Sequence, residues 1–237
     1  MIKNTKREGL GRFVMMPKPC DPFAGVLRMH IFDISPLISQ RIAVWPGDQS
    51  FHRNETLSFQ QGHNLVLSSI QTTVHLGAHA DAPIHYHPEG EDIASRSLSL
   101  YLGPCQVIGV SIPPGERIYP HHLPAVKAPR VLFKTGSFPN PDQWNSDFNS
   151  LSPELVNQLG QQDVILVGID TPSVDPEQSK ALESHQAIMA NDMAVLEGLL
   201  LNEVSDGLYT LVALPLKMEN ADASPVRAVL VKDWPGP

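Results

Sequence analysis

Residues 74–85 read Val-His-Leu-Gly-Ala-His-Ala-Asp-Ala-Pro-Ile-His, which places three histidines and one aspartate at positions 75, 79, 81 and 85. A helix turns by about 100° per residue, so Asp81 would leave the face that His75 and His79 share. All four positions are odd, and an extended chain projects every second side chain to the same side. The spacing therefore predicts an extended segment with its polar side chains on one face.

A fully straight strand cannot bring these side chains to one metal ion. Positions 75 and 81 would lie about 20 Å apart at ~3.3 Å per residue, whereas bonds from a metal to nitrogen or oxygen measure roughly 2.0–2.2 Å. Gly77 is the position at which the chain can bend. The alternative is two ions bridged by the two oxygens of Asp81. The spacing predicts a bent segment and leaves one or two metals open.

Further ligands would have to come from distant parts of the chain, and His185 and Glu197 are the candidates. On one straight helix these two positions would lie about 18 Å apart, so they can share an ion only if the helix breaks between them. Asn191-Asp192 predicts a turn, and a strand-like stretch follows at Met193–Leu196. From the residues alone, a helix cap and a solvated charge remain the alternative interpretation of this pair.

Beyond this segment the pattern is α/β. Ser152 and Pro153 predict the start of one helix, since serine favours the N-cap and proline the first helical position. A second helix is predicted to begin near Ser179 or Ser184. The stretch from Asp163 to Asp170 has the signature of a continuous buried strand, apolar on both faces between the two aspartates, so both faces of that strand must be covered. Short apolar runs predict strands at Cys105–Val110, Val131–Phe133, Val164–Ile169 and Leu208–Leu214.

Composition excludes several classes of protein. The chain has 237 residues with 17 Lys+Arg against 25 Asp+Glu, a net charge of −8, which argues against nucleic-acid binding and against a polybasic membrane-surface protein. No apolar run approaches the ~18–20 residues that span a bilayer. Two cysteines cannot build a disulfide framework, so we expect a cytoplasmic protein. We expect residues 1–28 to be a flexible extension and residues 29–237 to form a single domain.

The 75–85 segment resembles the hallmark His-x-Gly-Thr-His-x-Asp-x-Pro-x-His of the cyclase superfamily of metal-dependent hydrolases, with Ala78 in place of threonine. The resemblance extends from about Phe32 to Leu230, and it is strongest to the bacterial kynurenine formamidases. Further matching blocks follow in the same order: Asp33-Ile34-Ser35-Pro36, Trp45-Pro46-Gly47-Asp48, Lys134-Thr135-Gly136-Ser137, Asp170-Thr171-Pro172-Ser173-Val174-Asp175-Pro176, Leu214-Pro215-Leu216-Lys217 and Ser224-Pro225-Val226-Arg227-Ala228.

The resemblance implies a single-domain α/β cyclase-like fold of the swivelling β/β/α type, with a mixed sheet or barrel and flanking helices. It implies two zinc ions per subunit, with manganese as the alternative, and ligands His75, His79, Asp81, His185 and Glu197. His85 corresponds to the proton donor and acceptor of the family, and Trp45 to an aromatic contact with the substrate. Asp170, Thr171 and Asp175 are expected in a structured turn near the site.

The implied reaction is hydrolysis of N-formyl-L-kynurenine to L-kynurenine and formate in tryptophan degradation. A zinc-bound hydroxide would attack, with His85 as the proton shuttle, in a homodimer or larger homo-oligomer that acts on a small molecule. One alternative is another amide or lactam hydrolase of the family, such as an isatin hydrolase. Another is a non-catalytic binding protein, which would predict a damaged ligand set. A nucleophilic serine is disfavoured, since the chain has no Gly-x-Ser-x-Gly elbow.

Overall fold

The computed structural model describes residues 29–233, so the predicted extension over residues 1–28 lies outside the described residues. The two α-helices of this range are α1 (Pro153–Gly160) and α2 (Glu183–Ala190). The strands are β1 His30–Asp33, β2 His52–Leu57, β3 Leu67–Gln71, β4 His79–Asp81, β5 Leu102–Gly109, β6 Arg117–Ile118, β7 Arg130–Lys134, β8 Ser150–Leu151, β9 Leu166–Ile169, β10 Ala194–Glu197, β11 Gly207–Val212, β12 Ala223–Pro225 and β13 Val229–Lys232.

One curled, mixed sheet forms the centre of the molecule and confirms the expected α/β fold. Within residues 29–233 it contains nine strands in the order β1-β13-β11-β5-β7-β9-β10-β4-β12. The neighbours from β5 through β7 and β9 to β10 run parallel, and the outer pairs are antiparallel. The parallel strands are short apolar runs, as the sequence predicts for strands covered on both faces.

Alternation along these strands divides the core into two clusters. Val131 and Phe133 of β7 pack on the face that carries the helices, whereas Leu132 between them belongs to the opposite cluster. The same alternation separates Val167 of β9 from Leu166. Both faces of β9 are therefore buried, which confirms the prediction made from residues 163–170.

Both predicted helices are present, and local signals explain where they begin. The Ser152 hydroxyl oxygen accepts a hydrogen bond from the Leu155 amide at 3.1 Å, and Pro153 occupies the first turn of α1. Helix α2 begins at Glu183, immediately after Leu182, whose φ of 48° lies in the left-handed region. It ends at Ala190, and the predicted turn at Asn191-Asp192 leads directly into β10.

Strands β2 and β3 form a separate antiparallel hairpin outside the main sheet. Nearly all of its residues are exposed, and five large apolar side chains face solvent on the strands and the segment that connects them: Phe59, Leu65, Val66, Leu67 and Ile70. None of the described helices is both long and apolar enough to cross a membrane.

Candidate metal centre

The 75–85 segment bends at Gly77 and is extended over only part of its length. Gly77 has a φ of +59°, in the left-handed region that glycine favours. Only His79–Asp81 forms a strand, because Pro83 begins a 3-10 turn that ends at His85. The prediction of a bend at Gly77 is confirmed, and the expectation of an extended chain through His85 is wrong at its C-terminal end.

Strand β4 places His79 and Asp81 between two antiparallel neighbours. Glu197 of β10 lies opposite His79, and β12 pairs with β4 on the other side. Directly opposite residues on one face of a sheet have Cβ atoms only ~5 Å apart. The strand register therefore brings Glu197 to a segment more than a hundred residues away in sequence.

Helix α2 supplies His185 to the same position. Its Nε2 lies 3.4 Å from Oδ2 of Asp81 and 3.4 Å from Oε1 of Glu197. The break at residues 191–192 reverses the chain, so that β10 returns alongside β9 and presents Glu197 next to His185. The helix break required by the sequence is present, and it brings together two residues that one continuous helix would separate.

The two buried carboxylates each face two groups of histidine nitrogens. Oδ1 of Asp81 lies 3.0 Å from Nδ1 of His75 and 3.4 Å from Nε2 of His79, and its Oδ2 faces His185. Glu197 is arranged in the same way, with Oε2 3.3 Å from His79 and Oε1 towards His185. The structure thus gathers all five residues named by the sequence, in two overlapping clusters: His75, His79 and Asp81, and Asp81, His185 and Glu197.

Each histidine of the centre has its second ring nitrogen held by an acceptor outside the cluster. Nδ1 of His79 donates to the Gly77 carbonyl oxygen at 2.9 Å, and Nδ1 of His185 donates to Oδ2 of Asp175 at 2.9 Å. Nε2 of His75 donates to Oδ2 of Asp222, also at 2.9 Å. Metal-binding histidines are typically oriented by such outer hydrogen bonds.

Two inward-facing polar atoms of the centre have no hydrogen-bond partner among the described residues: Nε2 of His79 and Oδ1 of Asp81. Leaving a buried polar atom unpaired costs about 1–3 kcal/mol. A cation between them would satisfy both, because an imidazole nitrogen and a carboxylate oxygen are its usual ligands. The residues present therefore fit a divalent metal.

The electrostatics of the centre are dominated by its carboxylates. Burial disfavours the charged form of His79, but the carboxylates of Asp81 and Glu197, which lie 3.4 and 3.3 Å from its Nε2, outweigh burial and raise the pKa of His79 to about 10. Burial also opposes ionisation of Asp81, yet the surrounding histidines hold its pKa well below the usual value. The carboxylates thus create a site that strongly attracts positive charge.

His85 differs from the candidate ligand histidines in position and in the direction of its pKa shift. Its ring centroid lies 4.3 Å from that of His75 and 6.1 Å from that of His185, and its side chain remains partly exposed. Burial lowers the pKa of His85 below its ordinary value, and the charge of Asp81 opposes this only in part. His85 is therefore neutral at pH 7 and lies beside the cluster.

A cavity of about 510 Å³ opens onto the centre and is lined by His75, His79 and His85. Its outer wall is aromatic, with Trp45 edge-on to Trp144 at a centroid distance of 5.2 Å, and Phe138 beside them. Phe51, which the sequence places near Trp45, is not among the described residues that line this cavity. A volume of this size is typical of small-molecule sites.

Two carboxylates that touch candidate ligand histidines carry no assigned role in the sequence prediction. Asp175 was expected only in a nearby structured turn, and the structure shows it bound to both His185 and Arg117. Asp222 contacts His75 and His85 from the loop before β12. An isolated aspartate in a loop gives no spacing signal, so Asp222 could not be found from the residues alone.

Comparisons with known proteins identify relatives of this chain. The family model described as "Putative cyclase" matches residues 32–176. Kynurenine formamidase of Bordetella petrii is 42% identical over 204 residues, which are 85% of this chain and 97% of that protein. A solved structure described as a "potential metal-dependent hydrolase with cyclase activity" has a TM-score of 0.75 at 25% identity, covering 87% of this chain and 100% of its own. Isatin hydrolase A from Labrenzia aggregata shares the fold, with a TM-score of 0.73, 21% identity and coverage of 86% and 93%.

Proposed function

The chain belongs to the cyclase family of metal-dependent hydrolases, and on this premise we propose that it hydrolyses N-formyl-L-kynurenine to L-kynurenine and formate. The observation that carries the proposal is the intact cluster of His75, His79, Asp81, His185 and Glu197 at the base of an aromatic-walled cavity. A damaged cluster would favour a non-catalytic binding protein. The similarity to kynurenine formamidase over 85% of the chain supports the substrate.

We propose zinc as the metal, with two ions per subunit and manganese as the alternative, since mixed histidine and carboxylate ligands accept both. The two overlapping clusters support a pair, because Asp81 and Glu197 each direct one oxygen to either side. Bound zinc lowers the pKa of water towards ~7 and polarises a carbonyl oxygen. The five ligand residues would hold the ions, and the outer hydrogen bonds keep the ring nitrogens directed inward.

His85 is proposed to move the proton. Hydrolysis adds water across the formyl C–N bond, so one proton must pass from the attacking water to the departing aromatic amine. That amine is a poor leaving group as an anion. His85 is neutral at pH 7 and lies beside the cluster, so its ring can accept the proton from water and return it to nitrogen.

Trp45 is proposed to contact the aromatic ring of the substrate. It lines the cavity and is held edge-on by Trp144 and Phe148, at centroid distances of 5.2 and 6.3 Å. A rigid aromatic wall suits an anilide, because offset and edge-on ring pairs contribute about 0.5–1.5 kcal/mol beyond burial.

Assembly and location are also proposed from the described surface. The exposed apolar side chains Phe59, Leu67 and Ile70 on the β2–β3 hairpin support a homodimer, because they would be covered by a second copy. Cys105 is a buried free thiol, which fits a reducing cytoplasm. Light scattering of the purified protein gives the mass of the assembly directly.

The decisive experiment assays metal-free and zinc-reconstituted protein on N-formyl-L-kynurenine, with isatin as the comparison substrate. We expect zinc-dependent release of equal amounts of kynurenine and formate, and little opening of isatin. Turnover of isatin without turnover of N-formyl-L-kynurenine would indicate that the protein is a lactam hydrolase. Elemental analysis of His79→Ala and Glu197→Ala should show reduced zinc, and unchanged zinc in both would contradict the ligand set.

The variant His85→Ala tests the proton shuttle. It should retain its zinc and lose about 10²–10⁴-fold in kcat, the usual contribution of a positioned acid–base group. His87→Ala is the matched control, because the His87 ring accepts a hydrogen bond from the backbone of Glu89. Near-normal turnover by zinc-loaded His85→Ala would remove His85 from the mechanism.

A further inference from the structure

Asp222 lies in the loop before β12, at the mouth of the metal centre and outside its five clustered residues. Its Oδ2 is 2.9 Å from Nε2 of His75 and 3.4 Å from Nδ1 of His85. Its backbone carbonyl accepts a hydrogen bond from the Ala82 amide at 2.8 Å, which fastens the loop to the end of β4. One carboxylate oxygen thus faces a candidate ligand and the candidate proton shuttle together.

The contact with His75 determines which nitrogen of that ring is available to a metal. An ionised carboxylate only accepts hydrogen bonds, so Nε2 of His75 carries the proton. Nδ1 is then the nitrogen that faces Oδ1 of Asp81, at 3.0 Å. Asp222 therefore acts on His75 as Asp175 acts on His185, by holding the ring from behind.

The same reasoning applied to His85 concerns catalysis directly. Nδ1 of His85 lies 3.4 Å from Oδ2 of Asp222, which is longer than a formed hydrogen bond. A proton on Nδ1 would be attracted to this carboxylate and would leave Nε2 as the basic nitrogen. Without a carboxylate at this position the neutral ring could adopt either tautomer, and only one of them has Nε2 free to accept a proton. A carboxylate behind a histidine performs this function in other hydrolases.

We propose that Asp222 is a positioning residue that keeps His85 in the tautomer protonated at Nδ1 and couples the orientation of this ring to His75. The inference rests on the proposed function, because it takes His85 as the group that transfers the proton. Asp222 acts through the two histidines and does not contact the reacting atoms. Through Asp222, proton transfer by His85 would depend on the orientation of His75 in an intact metal centre.

A double-mutant cycle in saturating zinc tests the proposal. Asp222→Ala should lower kcat about 10–100-fold with KM changed less than about threefold, and adding it to His85→Ala should lower kcat no further. Asp92→Ala is the matched control, because Oδ2 of Asp92 accepts from the Asn220 amide and supports the same loop without touching a histidine. Independent, multiplying effects of the two substitutions would overturn the proposal, as would an equal loss in Asp92→Ala.

Two further readouts do not depend on activity. In zinc-loaded protein labelled with ¹⁵N-histidine, the His85 signals, assigned with His85→Ala, should show a proton on Nδ1 and should change in Asp222→Ala. A proton on Nε2 in the unsubstituted protein, or a spectrum that Asp222→Ala leaves unchanged, overturns the proposal. So does a loss of bound zinc equivalents in Asp222→Ala at saturating zinc, which would make Asp222 a ligand. If the unsubstituted protein fails to hydrolyse N-formyl-L-kynurenine, the proposed function fails. The NMR measurement of the His85 tautomer would still show whether Asp222 positions that ring.

Discussion

Replacing Gly198 by alanine should weaken both the fold and the metal centre. Gly198 follows Glu197 directly and has a φ of +64°, and a Cβ atom there would lie 2.1 Å from the carbonyl oxygen of Gly77. That oxygen accepts the hydrogen bond from Nδ1 of His79. The added Cβ atom is attached directly to the backbone of residue 198, and the oxygen is part of the backbone of Gly77, so neither atom can rotate away. The end of β10 must therefore move away from the bend that carries His75 and His79.

The cost of this substitution has two parts. A side chain in the left-handed region costs about 1–2 kcal/mol, and forcing an extra carbon into a packed site costs about 1–3 kcal/mol. Together they predict a loss of about 2–5 kcal/mol in the free energy of unfolding. Gly136→Ala is the matched control: its φ is +66°, and no described residue other than its chain neighbours lies within 4 Å of the added carbon.

Urea unfolding of chelator-treated protein measures the first effect without a contribution from bound metal. Gly198→Ala should be about 1–3 kcal/mol less stable than Gly136→Ala, since the two share the backbone strain and differ in the clash. Zinc affinity, measured by competition with a chromophoric chelator, should fall about 10–100-fold in Gly198→Ala and stay unchanged in the control. Equal stability of the two variants, or wild-type zinc affinity in Gly198→Ala, would refute the reasoning.

Two other substitutions test the supports of the site and of the fold. Asp175→Asn weakens the acceptor that orients His185, so zinc affinity should fall about 10–100-fold. An unchanged affinity in the chelator competition would show that Asp175 only supports the turn and does not orient His185 for metal binding. Ser152→Ala removes the N-cap of α1 and should cost about 1 kcal/mol, which lowers Tm by roughly 2–4 °C in a domain of this size. Since no residue of α1 lines the cavity or belongs to the candidate metal clusters, kcat should not change, and a large loss of turnover would contradict this.

Sequence spacing predicts the local part of the centre well. The odd positions of His79 and Asp81 and the glycine at 77 determine a short strand after a bend, and both are present. Such features depend on residues only a few positions apart. The departure occurs at Pro83, where the chain leaves the strand and forms a 3-10 turn up to His85.

The distant part of the centre follows from strand pairing, which spacing does not encode. The residues predict a break between His185 and Glu197, but their meeting with Asp81 depends on β10 lying between β9 and β4. Only the family resemblance predicted that His185 and Glu197 belong to the same site as Asp81. Asp222 shows the same limit, because it reaches His75 through the pairing of β12 with β4, and its own neighbours in sequence carry no comparable pattern.

The arrangement of oxygens at the centre bears on how many ions it holds. A single cation could be bound by one oxygen from each carboxylate. Oε1 of Glu197 also accepts a hydrogen bond from the Val174 amide at 2.7 Å, whereas Oδ1 of Asp81 has no hydrogen-bond partner among the described residues. Here Oδ1 of Asp81 and Oε2 of Glu197 face His79, whereas Oδ2 and Oε1 face His185. Both residues are almost fully buried, where unpaired charge is strongly unfavourable. Because each carboxylate spans both groups of histidines, two cations would pair every one of these oxygens, and this supports the proposed pair over a single ion.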